Sequence, residues 1–261
     1  MIETHVIEID GIKTVSQITR ASAGVDKAIV ALHGWGADKS LMLPLAERLS
    51  PLGYDVYALD LPGFGESDAP PPSWFVYDYA NWVTAYLDAM KLNHVYLIGH
   101  SFGGRLGLIL GATVPERVDK MVLVDSAGVL PKRPFTAQAR LNIYKALRDS
   151  LYKVGAKNSA DGLRTWYGKR YGSSDYQSAG ALREIFVRVV NEDLVPYAAK
   201  ISVPTLLIWG EHDEDTPLWQ GQQLEKTIPD AGLVVLPGAG HYSYLERLGE
   251  FVTIVDHFFK H

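Results

Sequence analysis

The chain has 261 residues, 47% of them apolar and 11% aromatic, with a net charge of −5 and no cysteine. That size and apolar content suit one large α/β domain with a sizeable core and room for an inserted subdomain. The mild acidic balance argues against non-specific nucleic-acid binding, and the missing cysteines exclude disulfides and cysteine-based metal sites.

Met1-Ile2-Glu3-Thr4-His5 lacks the basic start and apolar stretch of a signal peptide. No apolar run approaches the roughly 20 residues of a membrane span. A soluble, cytoplasmic protein with no membrane partner is expected. Residues 4–9 and 12–19 read as two strands joined at Asp10-Gly11, a hairpin signal. Residues 28–32 form a continuous apolar run, as a strand buried on both faces does. It ends in His33-Gly34-Trp35-Gly36, where the glycines permit a tight turn that frees the Trp35 amide to aim at a ligand. His33 reads as a structural residue bonding this loop. A helix over 41–49, a strand over 54–59 and a Gly/Pro-rich loop over 60–67 follow. Tyr79, Val83, Tyr86, Leu87 and Met90 have helical spacing.

The apolar run 95–98 leads into Gly99-His100-Ser101-Phe102-Gly103-Gly104, and a helix over 105–112 comes next. A serine between small residues at a strand-to-helix corner is the G-x-S-x-G nucleophile elbow. A Cβ at 99 or 103 would collide with the neighbouring strand or helix. The helix N-terminus beyond the serine favours an oxyanion there, with the Phe102 and Trp35 amides as the two donors. Gly103, Gly107 and Gly111 share one helix face and predict close packing on a sheet. Residues 120–124 read as another buried strand, ending at Asp125.

From residue 131 the strand signal disappears. Leu141, Tyr144, Leu147 and Leu151 space as one helix, and Leu182, Ile185, Phe186, Val189 and Val190 as another. Residues 131–190 hold twelve Lys and Arg against four Asp and Glu, so this span carries +8 and the rest of the chain −13. We read a helical cap over 131–200, inserted after the sixth strand, with core segments 1–130 and 201–261. Its basic charge either attracts anionic substrates or marks solvated helix faces. Residues 205–209 and 232–236 return to the strand pattern, and 245–259 close the chain as a helix. Alternating strands and helices predict a mostly parallel eight-stranded sheet with helices on both faces.

Ligands in such sheets bind beyond the carboxyl ends of the strands. Ser101, Asp213 and His241 all fall there. Serine is a weak nucleophile that needs a base. His241 can take the proton and return it to the leaving group, while an aspartate fixes its tautomer and stabilises the imidazolium. HGWG at 33–36, DLPGFGES at 60–67, GHSFGG at 99–104, WGEHDEDTP at 209–217 and GAGHY at 238–242 together resemble the α/β-hydrolase superfamily over nearly the whole chain.

The resemblance implies Ser101, Asp213 and His241 as triad and the Trp35 and Phe102 amides as oxyanion hole, with no cofactor and no metal. It points to Asp213 as the acid by its place four residues before Pro217. Asp125 occupies an alternative acid position, and Asp215 lies close by. The implied reaction is carboxylic-ester hydrolysis of a small molecule with an apolar portion, for which Phe135, Tyr144, Trp166 and Phe186 are candidate pocket or cap-core residues. A serine at the elbow disfavours the aspartate-nucleophile dehalogenase and epoxide hydrolase chemistry. C–C bond hydrolases typically carry asparagine before the serine and tryptophan after the histidine, where this chain has His100 and Tyr242. Cofactor-free haloperoxidase or perhydrolase activity, or a receptor with a vestigial triad, are the other readings.

Overall fold

The apolar runs assemble into one eight-stranded sheet. The computed structural model describes residues 1–22, 27–130 and 134–261. β1 (Ile2–Ile9) and β2 (Ile12–Thr19) form the antiparallel hairpin. Asp10 and Gly11 at its turn have φ of +51° and +78°, the left-handed pair whose twist matches the flanking strands. β3 (Ala28–Leu32), β4 (Asp55–Leu59), β5 (Val95–His100), β6 (Val118–Val124), β7 (Thr205–Gly210) and β8 (Ala231–Leu236) complete it. The spatial order is β1-β2-β4-β3-β5-β6-β7-β8; β2 meets β4 antiparallel and all later pairs are parallel. All six residues of β5 and of β7 are buried, so the central strands carry no polar alternation.

Helices α1 (Leu43–Leu49), α2 (Val76–Ala89) and α3 (Phe102–Thr113) connect the first parallel strands. Between β6 and β7 come α4 (Phe135–Lys153), α5 (Lys157–Tyr171), α6 (Ser174–Ser178), α7 (Arg183–Asn191) and α8 (Val195–Ala198). α9 (Trp219–Thr227), α10 (Ser243–Glu246) and α11 (Leu248–Lys260) follow β7 and β8. One core layer joins the sheet to α2, α3 and α9 through Trp82, Tyr86, Leu106 and Leu224. The other joins it to α1 and α11 through Leu45, Leu49, Phe251 and Phe259.

The glycine face of α3 lies on the sheet. A Cβ at Gly103 would stand 2.2 Å from the Leu32 carbonyl oxygen, and one at Gly99 would stand 2.5 Å from the Gly103 oxygen. Only the missing side chains let α3 start so close to β3 and β5.

Two expectations change. The closing helix is two helices, because Arg247 leaves helical geometry at φ −123° and joins α10, fixed through Ser243 to Asp125, to α11 on the sheet. The inserted segment holds five α-helices among its described residues rather than two. α5 buries only Ala160 and Gly168, so it presents no apolar stripe from which spacing could reveal it. Residues 131–133, at the start of the expected cap, lie outside the described residues.

Candidate active site

Ser101 sits between β5 and α3 with φ +50° and ψ −104°. A non-glycine residue in such a conformation costs about 1–3 kcal/mol and persists only where its surroundings enforce it. Here the Ser101 amide donates to the Val124 carbonyl at 3.0 Å, and the Ser101 carbonyl accepts from the amides of Arg105 and Ala127, each at 3.2 Å. The Gly103 amide donates to the His33 carbonyl at 3.1 Å, locking the elbow to the loop after β3. Ser101 and His241 line one cavity of about 1030 Å³. The serine hydroxyl makes no hydrogen bond to His241, and such pairs commonly tighten only around substrate.

The loop after β7 brings Asp213 to His241. His241 Nδ1 donates to Asp213 Oδ2 at 2.9 Å, which leaves Nε2 as the acceptor nitrogen. The rest of the Asp213 carboxylate is filled: Oδ1 accepts from the amides of Asp215 and Thr216 at 2.9 Å each, and Oδ2 accepts from Thr216 Oγ1 at 2.6 Å. Burial pushes the Asp213 carboxyl up, but the bonds from His241 and Thr216 outweigh it and hold the group below the ordinary range. Burial likewise pushes His241 down, yet Asp213, with Asp125 and Asp215 behind it, leaves it above the usual imidazole value.

The two alternative acids are placed differently. Asp125, wholly buried, accepts from the Gly210 amide at 2.7 Å and from Ser243 through its hydroxyl at 2.6 Å and its amide at 3.2 Å. It therefore clips the ends of β6, β7 and α10 together and makes no hydrogen bond to the His241 ring. Burial pushes its carboxyl up to about 7. Asp215 gives its amide to Asp213, and its exposed carboxylate comes within 4.8 Å of ligand atoms of Asp213 and His241. Sequence spacing did not single out Thr216 or Ser243 for these contacts. For Thr216 the available signal was the aspartate three residues earlier, whose side chain readily accepts from nearby backbone amides; Ser243 is 118 residues from Asp125 in sequence.

Around the serine, the Phe102 amide at the first turn of α3 and the Trp35 amide in its loop have no acceptor among the described residues. The Trp35 ring packs against Phe64, Phe102 and Phe186 at centroid distances of 4.9, 5.2 and 5.1 Å. His33 has the structural role its loop suggested: Nδ1 donates to the Gly34 carbonyl at 2.8 Å, Nε2 accepts from the Leu61 amide at 3.0 Å, and burial keeps the ring neutral. His100 Nε2 donates to the His241 carbonyl at 2.8 Å. Burial and the nearby His241 push it down to about 3, so it is neutral as well.

The inserted helices supply the far wall of the cavity. Tyr144, Tyr167 and Phe186 line it, with Tyr144 and Tyr167 stacked at 3.9 Å. Phe135 and Trp166 do not: they are 87% and 57% exposed, on the outside of the segment. Their helices turn these positions outward, which neither composition nor spacing separates from the inward ones.

A sequence model of the alpha/beta hydrolase fold matches residues 27–248. The chain belongs to the α/β-hydrolase family. Among its relatives, the uncharacterized hydrolase YugF of Bacillus subtilis is 31% identical over 74% of this chain and 76% of that protein. The pimeloyl-[acyl-carrier protein] methyl ester esterase of Aeromonas salmonicida is 26% identical over 92% of this chain and 98% of the esterase. Among solved structures, the enol-lactonase of Burkholderia xenovorans LB400 superposes with a TM-score of 0.75 at 25% identity, covering 98% of this chain and 100% of the lactonase. This α/β-hydrolase therefore has relatives that cleave ester bonds, and none of its helices is long and apolar enough to cross a membrane among the described residues.

Proposed function

We propose that this α/β-hydrolase is a serine carboxylic-ester hydrolase. Ser101 attacks the ester carbonyl, His241 takes its proton and returns it to the leaving alcohol, and Asp213 holds the imidazole in the Nδ1–H tautomer. The Trp35 and Phe102 amides receive the tetrahedral oxyanion. Water activated by His241 then releases the acid from the acyl-enzyme. Residues 134–200 act as a cap over the acyl chamber, and the substrate is a small molecule with an apolar portion.

The single observation that carries the reading is the 2.9 Å contact from His241 Nδ1 to an Asp213 carboxylate whose other lone pairs are already filled. That arrangement leaves Nε2 free to act as base on the cavity where the strained Ser101 stands. The esterase and lactonase relatives support the same bond class. The test is labelling with a fluorophosphonate probe and mass spectrometry, beside hydrolysis of a short p-nitrophenyl ester. Label on Ser101 and turnover that falls by about 10⁴ or more in Ser101→Ala are expected. Retention of most activity in that variant sinks the assignment.

A further inference from the structure

Among the described cations that line the cavity, Arg105 is the buried one, and its donors are only partly filled. Arg105 lies in the first turn of α3, four residues after Ser101, which stands at the N-terminal end of that helix. It is only 4% exposed and lines the cavity with Ser101 and His241. Its Nη2 donates to the Glu192 carbonyl at 2.5 Å. Nε is buried without an acceptor. Glu192 and Asp193 act on the guanidinium only through space, and burial pushes its pKa down to about 10.

The other cations around the cavity lie nearer solvent. Arg148 pairs with Asp149 at 2.7 Å, Arg140 lies 4.0 Å over the Tyr171 ring, Arg164 interacts with Tyr176, Arg188 donates to the Pro72 carbonyl over the Phe75 ring, and Lys145 is exposed. On the His241 side the field is opposite in sign: Asp215 and Asp175 both line the cavity there and interact with His241. An anion entering the chamber is repelled from the leaving-group side and drawn toward Arg105.

We propose that Arg105 is the specificity residue for a carboxylate on the acyl part of the substrate, so that the enzyme cleaves monoesters of short dicarboxylic acids. The proposal rests on the ester-hydrolase reading above and adds the substrate class. A carboxylate is the ligand that fits, because a guanidinium with donors to spare binds it through charge-assisted hydrogen bonds. The distal carboxylate stays intact. At Ser101 the acyl C–O bond breaks, the alcohol leaves with the proton from His241, and water supplies hydroxide to the acyl carbon and a proton to the base.

The experiment compares kcat/KM for the monomethyl and dimethyl esters of succinate, glutarate and adipate on the full chain. Wild type is expected to favour the half-ester at least tenfold for one of these lengths, through KM, with the preference shrinking as NaCl rises. In Arg105→Met the half-ester to diester ratio falls at least tenfold, and Arg105→Lys restores part of it. A wild type indifferent to the free carboxylate, or a ratio unchanged in Arg105→Met, overturns the proposal and leaves Arg105 as a tether to Glu192. If Arg105→Met does not fold, Ser101→Ala melted with and without succinate, at matched ionic strength, gives the second reading. A rise in Tm is expected, and no rise overturns the proposal. Failure of the underlying reading looks different: neither ester is cleaved and the fluorophosphonate does not label Ser101, while the succinate melt still reports on Arg105.

Discussion

Asp213→Asn and Asp125→Asn separate the two buried aspartates near His241, and the hydrogen bonds give both magnitudes. At position 213, Oδ1 faces two amide donors, from Asp215 and Thr216. An asparagine there must keep its carbonyl oxygen on those amides, so its NH₂ points at His241 Nδ1. The imidazole then accepts at Nδ1 and carries its proton on Nε2, toward the serine, where a base is needed. A wrong-tautomer triad loses about 10³- to 10⁴-fold in kcat, equivalent to about 4–5.5 kcal/mol in the barrier, with the fold intact. At position 125 the carboxylate also meets only donors, the Gly210 amide on one oxygen and Ser243 on the other. Asparagine opposes one N–H with another, which costs about 1–3 kcal/mol per buried group left unsatisfied. That lowers Tm by about 2–12 °C for a chain of this size, while kcat drops less than about tenfold. The assay is p-nitrophenyl ester hydrolysis beside thermal melting of each variant. A larger loss of kcat in Asp125→Asn than in Asp213→Asn, at unchanged Tm, would falsify the assignment of the acid.

Two further outcomes follow from the same geometry. His241 must be neutral to act as base, and its pKa is raised above 6.5 by the acidic groups facing it, so kcat/KM should fall as pH drops, with a midpoint above 6.5. Asp215→Asn removes part of that field and should move the midpoint to lower pH; a midpoint that stays or rises contradicts the electrostatics. His33 and His100 are held neutral by burial and contribute no limb in this range. Gly103→Ala should destabilise by roughly 3 kcal/mol or more, because its Cβ would meet the Leu32 backbone, held by β4 and β5 on both sides. Gly107→Ala meets only movable side-chain ends, of Leu123, Met121 and Leu97, and should melt closer to wild type. Equal melting points for the two variants would mean that α3 can shift on the sheet.

The core and the site differ from the inserted segment in how far sequence reveals them, and the reason is physical. The central strands β5 and β7 are buried on both faces, so their identity is written as a local apolar run, and the corner after β5 needs glycine at 99 and 103 whatever the substrate. His241 and Asp213 were likewise legible, because they close strand ends where the fold gathers chemistry. The preference for Asp213 over Asp125 came from the family resemblance and not from the residues alone, since both carboxylates stand at strand ends and the paths of the β7 and β8 loops decide which one meets the ring. Inside the segment 134–200 the local code weakens. α4 has no buried residue, and α5 buries only two, so their apolar side chains are shared between cavity, neighbouring helix and solvent with no fixed period. Phe135 and Tyr144 carry the same aromatic signal along one helix, yet one is 87% exposed and the other lines the chamber. The basic charge of the segment is a similar case. Several of its arginines contact aromatic rings of the segment itself and Arg148 pairs with Asp149, so part of the excess of +8 is already partnered. Arg105 belongs to the core helix behind the nucleophile, where burial removes solvent as a partner and the fold supplies only a single carbonyl. If substrate charge is read at that core position, the half-ester preference follows Arg105, whereas long-range attraction by the cap changes only how fast an anion arrives.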